Sequence, residues 1–78
     1  MKNNKQFAVI GLGRFGRAVV ETLVASGYDV MGCDKNMEAV KQMEHIATDV
    51  MQLDVMNEDA MQYIGLNNFD VVIVAIGE

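Results

Sequence analysis

This chain is organised around the sequence Phe7-Ala8-Val9-Ile10-Gly11-Leu12-Gly13-Arg14-Phe15-Gly16. A short apolar run predicts a buried strand, and it leads into a Gly-x-Gly-x-x-Gly turn in which a helical pattern begins. Gly11 allows a sharp turn off the strand, Gly13 has no Cβ to keep a diphosphate from the main chain, and Gly16 lets the helix pack closely on the strand. The unpaired N–H groups of the first helical turn, at the positive end of the helix dipole, would then face the phosphates.

The rest of the chain alternates between strand and helix patterns. The predicted elements are, in order, a strand at 6–10, a helix from 14 to about 26, a strand over 28–33 that ends at Asp34, a helix capped by Asn36 that runs to about residue 44, a strand at 47–53, a helix from 57 to near 65 and a strand at 71–76. The order β-α-β-α-β-α-β predicts an α/β fold with a Rossmann-like parallel sheet, in which the strands lie in the order 3-2-1-4. Residues 1–5 are predicted to be a disordered N-terminus, and residues 6–78 the N-terminal part of this domain.

The fourth predicted strand is apolar and β-branched, and it is the last element of the chain. The pattern is therefore that of a truncated half of a doubly wound domain, because such a sheet continues beyond this strand. An apolar edge strand seldom stays bare in water. We therefore expect either that the chain is part of a longer domain or that it pairs with another copy.

Composition excludes several classes of function. The net charge is −5, with 11 acidic against 6 basic residues, which disfavours a nucleic-acid partner. No apolar run approaches the ~20 residues of a membrane span, so direct membrane insertion is not expected. The lone Cys33 fits a reducing cytoplasm and is predicted to be a small buried residue, and a lone His45 offers no metal site. Five methionines are predicted to fill the core: Met37, Met43, Met51, Met56 and Met61.

An acidic residue follows the second predicted strand at the distance that a dinucleotide site requires. Asp34 lies 18 residues beyond Gly16, and its carboxylate can accept hydrogen bonds from both ribose hydroxyls. It would repel a 2′-phosphate, so NAD is favoured over NADP; the alternative is a solvated acid at a strand end. Arg14 can bind a phosphate from within the turn, or it is an ordinary surface arginine. Leu12 and Phe15 are expected to be packing residues of the turn.

Two further loops end at the same predicted edge of the sheet. Asp54 and Val55 follow the third strand and border the adenine in this topology, although a plain loop acid explains Asp54 equally well. Ala75, Ile76 and Gly77 form the tip of the fourth strand, where small residues leave room for the middle of the ligand. The candidate cofactor-binding residues are therefore Gly11, Leu12, Gly13, Arg14, Phe15, Gly16, Asp34, Lys35, Asp54, Val55, Ala75, Ile76 and Gly77.

The chain resembles the N-terminal lobe of KTN/RCK domains, the regulators of K⁺ conductance, especially the cytoplasmic subunits of Ktr- and Trk-type bacterial potassium transporters. The resemblance is carried by the glycine turn in its Gly-Leu-Gly-Arg-Phe-Gly form, by Asp34, and by Gly65-Leu66-Asn67-Asn68-Phe69-Asp70-Val71-Val72-Ile73-Val74-Ala75-Ile76-Gly77. It spans nearly the whole chain. One departure lies at Leu53-Asp54-Val55-Met56, where the family often has Gly-Asp-Ala-Thr.

The resemblance implies a regulatory module rather than an enzyme. Such domains bind NAD(H), ATP or ADP without chemistry, associate as dimers or rings at the cytoplasmic face of the membrane, and gate a potassium-translocating subunit. Gly11, Gly13 and Gly16 would hold the phosphates, and Arg14 a terminal phosphate that can belong to a neighbouring subunit's ligand. Asp34 would hold the ribose and Asp54 the adenine. Two alternatives stay open: a cofactor-binding fragment of an NAD-dependent dehydrogenase, and a bare binding fold.

Overall fold

The computed structural model describes residues 5–54, 57–59, 62 and 69–75. Within these residues the elements are β1 (Gln6–Ile10), α1 (Arg14–Ala25), β2 (Asp29–Asp34), α2 (Met37–Gln42), β3 (Asp49–Gln52) and β4 (Val71–Val74). The strands pair in parallel and lie in the order β3-β2-β1-β4. The predicted Rossmann-like sheet is therefore confirmed.

The first strand lies inside the sheet and sets its register. Ile10, its last residue, is opposite Cys33 of β2 and Val74 of β4, so the carboxyl ends of three strands meet at one edge. Ala8, Val9 and Ile10 are at most 1% exposed. Such a run is typical of a strand covered on both faces, as the sequence predicts.

The core has two parts, one on each face of the sheet. On the face that packs against α1 and α2 the buried residues are Val9, Leu12, Val20, Val30, Val40, Met43 and Ala47. On the opposite face Ile10, Cys33 and Leu53 form the second cluster, with Met31, Met51 and Phe69 packed against it. Met43 is thus core, as predicted, but the prediction is wrong for Met37, which is 43% exposed because it lies in the first turn of α2, on its outer side.

The helix α1 ends in a hydrogen-bonded glycine cap. Gly27 has φ 92°, and its N–H donates to the carbonyl of Val24 at 3.0 Å, while the N–H of Tyr28 donates to that of Leu23 at 3.1 Å. This pair of bonds is the Schellman arrangement, which favours glycine because the left-handed backbone strains a residue with a Cβ. Gly27 is therefore the C-terminal glycine that ends α1.

The second helix and third strand are shorter than predicted. Asn36 caps α2 as expected, accepting from the N–H groups of Glu38 at 2.8 Å and Ala39 at 3.4 Å. The helix ends at Gln42 rather than near residue 44, because Met43 and the residues after it form tighter turns. Strand β3 begins at Asp49 rather than at residue 47, since the Ala47 N–H donates back to the Met43 carbonyl at 2.9 Å.

The last strand lies at one edge of the sheet as described. Val72 and Val74 are 40% and 56% exposed on one face of β4. The ladder extends one residue past Val74, because the Ala75 N–H donates to the Ile10 carbonyl at 2.7 Å. Residue 76, to which this strand is predicted to continue, lies outside the described residues, and so do residues 1–4 of the N-terminus predicted to be disordered over 1–5.

The predicted third helix is only partly described. The side chain of Asn57 accepts from the Asp59 N–H at 2.8 Å, and Glu58 and Asp59 are helical, as expected at a capped helix start. The rest of this helix, apart from Gln62, lies outside the described residues, as do Met56 and Met61. In the part of the chain that is described, no helix has the length and apolar character that crossing a membrane requires.

Candidate functional site

The first two residues of the glycine turn are fixed by hydrogen bonds from their main-chain N–H groups, one to a carbonyl of β2 and one to the Asp34 carboxylate. Gly11 has φ 102°, a conformation that favours glycine, and its N–H donates to the Cys33 carbonyl at 2.7 Å. The N–H of Leu12 donates to Asp34 Oδ2, also at 2.7 Å. The Leu12 side chain is 1% exposed and joins the core, so its predicted packing role is confirmed. The turn therefore leaves the sheet on a defined path.

Gly16 lies where α1 and the turn approach each other most closely. A Cβ built on this residue would overlap the carbonyl oxygen of Gly11 and lie 3.5 Å from the Cβ of Ala75. Ala75 itself is buried at the tip of β4. Any side chain at Gly16 would push the helix off the turn, which is the packing role that the motif predicts for its third glycine.

Within the described residues, no side chain caps the N-terminus of α1. Gly13 is the cap residue and supplies no side-chain hydrogen bond, and the first turn contains no acidic residue. The first intrahelical bond runs from the Arg17 N–H to the Gly13 carbonyl at 2.9 Å, so the N–H groups of Arg14, Phe15 and Gly16 have no partner within the helix. By contrast, α2 is capped by Asn36 and carries an acid in its first turn. The open terminus of α1 is suited to an anion.

Arg14 and Phe15 both lie on the surface beside this open terminus. With Arg17 and Ala18 they line an open groove of about 640 Å³. Phe15 is 60% exposed, so the prediction that it packs in the turn is wrong. The reason is helical geometry, since Gly16 and Val20 occupy the buried side of α1. The Arg14 side chain is exposed, so it is available to a ligand.

The carboxylate of Asp34 is the polar centre of the site. Its Oδ2 accepts from the Leu12 N–H at 2.7 Å and its Oδ1 from the Asn36 N–H at 2.9 Å. A carboxylate offers about four lone-pair positions, so about two remain for other donors. The structure therefore brings Asp34 to the glycine turn, as the sequence predicts, and shows that its carboxylate accepts from two main-chain N–H groups, which the sequence does not reveal.

Lys35 and Asp54 border a second open groove next to Asp34. Together with Gln52 and Leu53 they line about 450 Å³ of space at the ends of β2 and β3. The Gln52 side chain donates to the Lys35 carbonyl at 2.9 Å and so ties the two strand ends together. Sequence reasoning missed Gln52, because nothing in its local pattern shows that it reaches across to the neighbouring strand. Val55, Ile76 and Gly77 lie outside the described residues.

A third groove, of about 290 Å³, lies at the amino edge of the sheet and contains none of the predicted site residues. It is lined by Gln6, Phe7, Asp29, Val30, Met31, Thr48, Asp49 and Phe69. Open parallel α/β sheets bind their ligands at the carboxyl ends of the strands instead. Among the described residues, no three His, Cys, Asp or Glu side chains are grouped so that they could hold a metal ion. The carboxyl edge is therefore the candidate site.

Cys33 lies beneath the turn, and its thiol is unreactive at neutral pH. It is fully buried, and burial, with a smaller contribution from the Asp49 carboxylate, raises the pKa of its thiol from 9.0 to about 11. The reactive thiolate is therefore scarce at neutral pH. This residue serves packing and, through its carbonyl, the Gly11 contact, which confirms its prediction as a small buried residue.

The fold and the site together define a Rossmann-like α/β domain with an open glycine turn at the carboxyl edge of its sheet. Residues 7–78 match the family described as the TrkA-N domain, and the chain belongs to this family. The predicted resemblance to KTN/RCK N-terminal domains is thereby confirmed.

Three potassium uptake proteins are similar to this chain. It is 45% identical over 74 residues to Ktr system potassium uptake protein C of Bacillus subtilis (strain 168), a match that covers 95% of this chain and 34% of that protein. It is 43% identical to Ktr system potassium uptake protein A of the same organism, covering 95% of this chain and 33% of that protein. The protein A of Vibrio alginolyticus is 39% identical, with 95% and 34% covered. The chain thus spans about a third of the length of these relatives.

Proposed function

We propose that this chain is a regulatory nucleotide-binding module of a potassium-transport system, and that it binds NAD(H), ATP or ADP without changing them chemically. The proposal rests on one observation: the uncapped N-terminus of α1 lies beside the carboxylate of Asp34, which can still accept about two hydrogen bonds. TrkA-N domains generally bind nucleotides, and the similar proteins are named for potassium uptake.

The described residues fit the diphosphate and ribose of such a ligand. The free N–H groups at the start of α1 would hold the diphosphate, and the Arg14 guanidinium would bind a phosphate oxygen. The two acceptor positions left on Asp34 match the two hydroxyls of one ribose. Lys35 and Asp54 would border the adenine in the groove at the ends of β2 and β3.

The partner in this proposal is a membrane subunit that translocates potassium. The module would act at the cytoplasmic face of the membrane and self-associate as a dimer or ring, and exchange of the nucleotide would gate the pore. The exposed, uncharged side chains of Val72 and Val74 on the edge strand support self-association. The family and the named relatives support the potassium role.

Calorimetric titration with NADH, ATP, ADP and NADPH tests the nucleotide site. We expect NADH and the adenine nucleotides to bind and NADPH to bind at least tenfold more weakly, because Asp34 repels a 2′-phosphate. Gly13→Val should abolish binding, since its side chain would occupy the place of the phosphate. The control is Thr22→Val, an exposed position on the same helix that should bind normally. Normal binding by Gly13→Val would contradict the proposed site.

Growth at low potassium tests the wider role. Gly13→Val in the gene that encodes this chain should impair potassium uptake, and Thr22→Val should not. The dehydrogenase alternative makes a different prediction, namely oxidation of NADH by a small carbonyl substrate. Such turnover, together with normal potassium uptake by Gly13→Val, would replace the regulatory proposal with the enzymatic one.

A further inference from the structure

The Asp34 carboxylate is hydrogen-bonded directly to the main chain of the glycine turn. Its Oδ2 accepts from the N–H of Leu12, the residue between the first two glycines of the motif. Its Oδ1 accepts from the N–H of Asn36, whose side chain in turn caps α2. One carboxylate therefore joins the residues that precede α1 to those that precede α2.

We propose that Asp34 is a positioning residue as well as a sugar ligand: it fixes the shape of the turn, so that affinity for the diphosphate itself depends on this carboxylate. The proposal rests on the nucleotide-binding function proposed above and adds a second role for the same residue. This second role affects the binding of the diphosphate, which Asp34 itself would not contact.

The turn needs an external support because its glycines restrict the backbone little. Gly11 and Gly13 flank Leu12, and glycine loses more conformational freedom on ordering than other residues. Gly11 is held by the Cys33 carbonyl, and Leu12 N–H to Asp34 is the next hydrogen bond along the chain before the open helix terminus. Releasing that bond would leave the backbone free to rotate immediately ahead of the phosphate-binding N–H groups.

The two roles of Asp34 are compatible on its acceptor capacity. The bonds from Leu12 and Asn36 use about two of roughly four lone-pair positions, and two ribose hydroxyls would use the others. The Leu12 side chain adds a second, apolar anchor: it packs against Gly32, where a built Cβ would lie 3.2 Å from Leu12 Cδ2. The polar and apolar anchors hold the same residue from two sides.

Electrostatics makes the two roles separable by experiment. A carboxylate near a diphosphate repels it, so if Asp34 served the sugar alone, removing it would leave unchanged or raise the affinity of a ligand that lacks ribose hydroxyls. If Asp34 positions the turn, the same removal lowers that affinity. The probe pair is ADP and 2′,3′-dideoxy-ADP, measured by calorimetry on the wild type, Asp34→Ala and Asp34→Asn.

We expect dideoxy-ADP to bind Asp34→Ala about tenfold more weakly than the wild type, the effect of losing one hydrogen bond to a charged group. Asp34→Asn should recover part of this loss, because its amide oxygen can still accept from the Leu12 N–H. The control Asn36→Ala removes the α2 cap but keeps both bonds to Asp34, and it should bind dideoxy-ADP normally. Unchanged or tighter binding of dideoxy-ADP by Asp34→Ala would overturn the proposal.

Amide hydrogen exchange without any nucleotide gives a second, independent readout. In Asp34→Ala the Leu12 amide should exchange at least tenfold faster. The Gly11 amide, which donates to the Cys33 carbonyl, is the internal reference and should change little, whereas global destabilisation would accelerate both. If the wild type binds none of NADH, ATP and ADP, the proposed function fails, and Leu12 exchange alone decides the positioning role: an unchanged rate would refute it.

Discussion

Replacement of Gly16 by alanine tests the close approach of α1 to the glycine turn. The new Cβ would overlap the carbonyl oxygen of Gly11, lie 2.8 Å from its carbonyl carbon and touch the Cβ of Ala75 at 3.5 Å. Carbon atoms in contact normally lie about 3.5–4.0 Å apart, so the helix and the turn must separate by about 1 Å. Because the obstructing atoms of Gly11 belong to the main chain, no side-chain rotation relieves the overlap.

We expect Gly16→Ala to destabilise the protein, although helix propensity alone would make this substitution stabilising. Glycine to alanine within a helix gains about 0.5–1 kcal/mol. Overpacking costs about 1–3 kcal/mol, and a main-chain overlap belongs at the upper end, so the free energy of unfolding should fall by about 2 kcal/mol. At about 0.05–0.15 kcal/mol per residue, a chain of 78 residues has a total stability of about 4–12 kcal/mol. The loss is therefore a large fraction of the total.

Urea unfolding followed by circular dichroism measures this loss, and calorimetry with ADP measures its effect on the site. With an m-value of about 1 kcal/mol/M, the urea midpoint should fall by about 2 M. ADP affinity should fall at least tenfold, because the N–H groups of α1 move with the helix. The assay is run below the new midpoint so that the variant is folded.

The matched control is Gly27→Ala at the other end of α1. Gly27 has φ +92° and open space around a built Cβ, so alanine there costs about 1 kcal/mol through backbone strain and leaves ADP affinity unchanged. A Gly16→Ala variant that equals or exceeds the wild type in stability would refute the close approach. If Gly16→Ala is destabilised as expected but binds ADP normally, the close approach matters for stability and not for nucleotide binding.

Three further predictions concern single side chains. Arg14→Gln should weaken ADP binding about fivefold to tenfold at low salt without changing the urea midpoint, while the exposed control Lys41→Gln leaves both unchanged; equal effects of the two variants would deny Arg14 a specific role. Burial first, and then the Asp49 carboxylate, raise the pKa of Cys33 from 9.0 to about 11, so its contribution to stability is complete below pH 9 and falls as the pH rises from 9 towards 11. The difference in unfolding free energy between the wild type and Cys33→Ala should shrink over that range, and a constant difference would contradict the raised pKa. Light scattering at high concentration should show self-association that Val74→Lys reduces; a monomeric wild type would contradict pairing through β4.

Much of the fold could be predicted because the local signals agree with the final packing. The consecutive apolar residues of β1 are buried on both faces, Asn36 caps α2, and Gly27 closes α1 with a left-handed backbone. Each of these features depends on residues close in sequence, so it can be read without knowing the tertiary structure. The strand order follows from the alternation of elements and the right-handed crossover.

The sequence predicted least well where distant residues decide the outcome. Phe15 and Met37 are apolar, yet each lies on the outer side of its helix and is exposed. Hydrophobicity alone does not predict this exposure. Strand β3 begins late because Ala47 is held by the turn after α2. The bond between Leu12 and Asp34 joins residues 22 positions apart, and only the paired strands bring them together.

The spacing between the glycine turn and Asp34 is a consequence of strand register. Ile10 pairs with Cys33, so the residues that follow them in the chain, Gly11 and Asp34, reach the same edge of the sheet. Side chains alternate between faces along a strand, and a slip of one residue would turn the Asp34 carboxylate away from the turn. The number of residues that connect β1 to β2 through α1 matters only because it allows Ile10 to pair with Cys33. What the motif encodes is therefore the meeting of two strand ends, and the bond from the Leu12 N–H to the Asp34 carboxylate is the contact that this meeting produces.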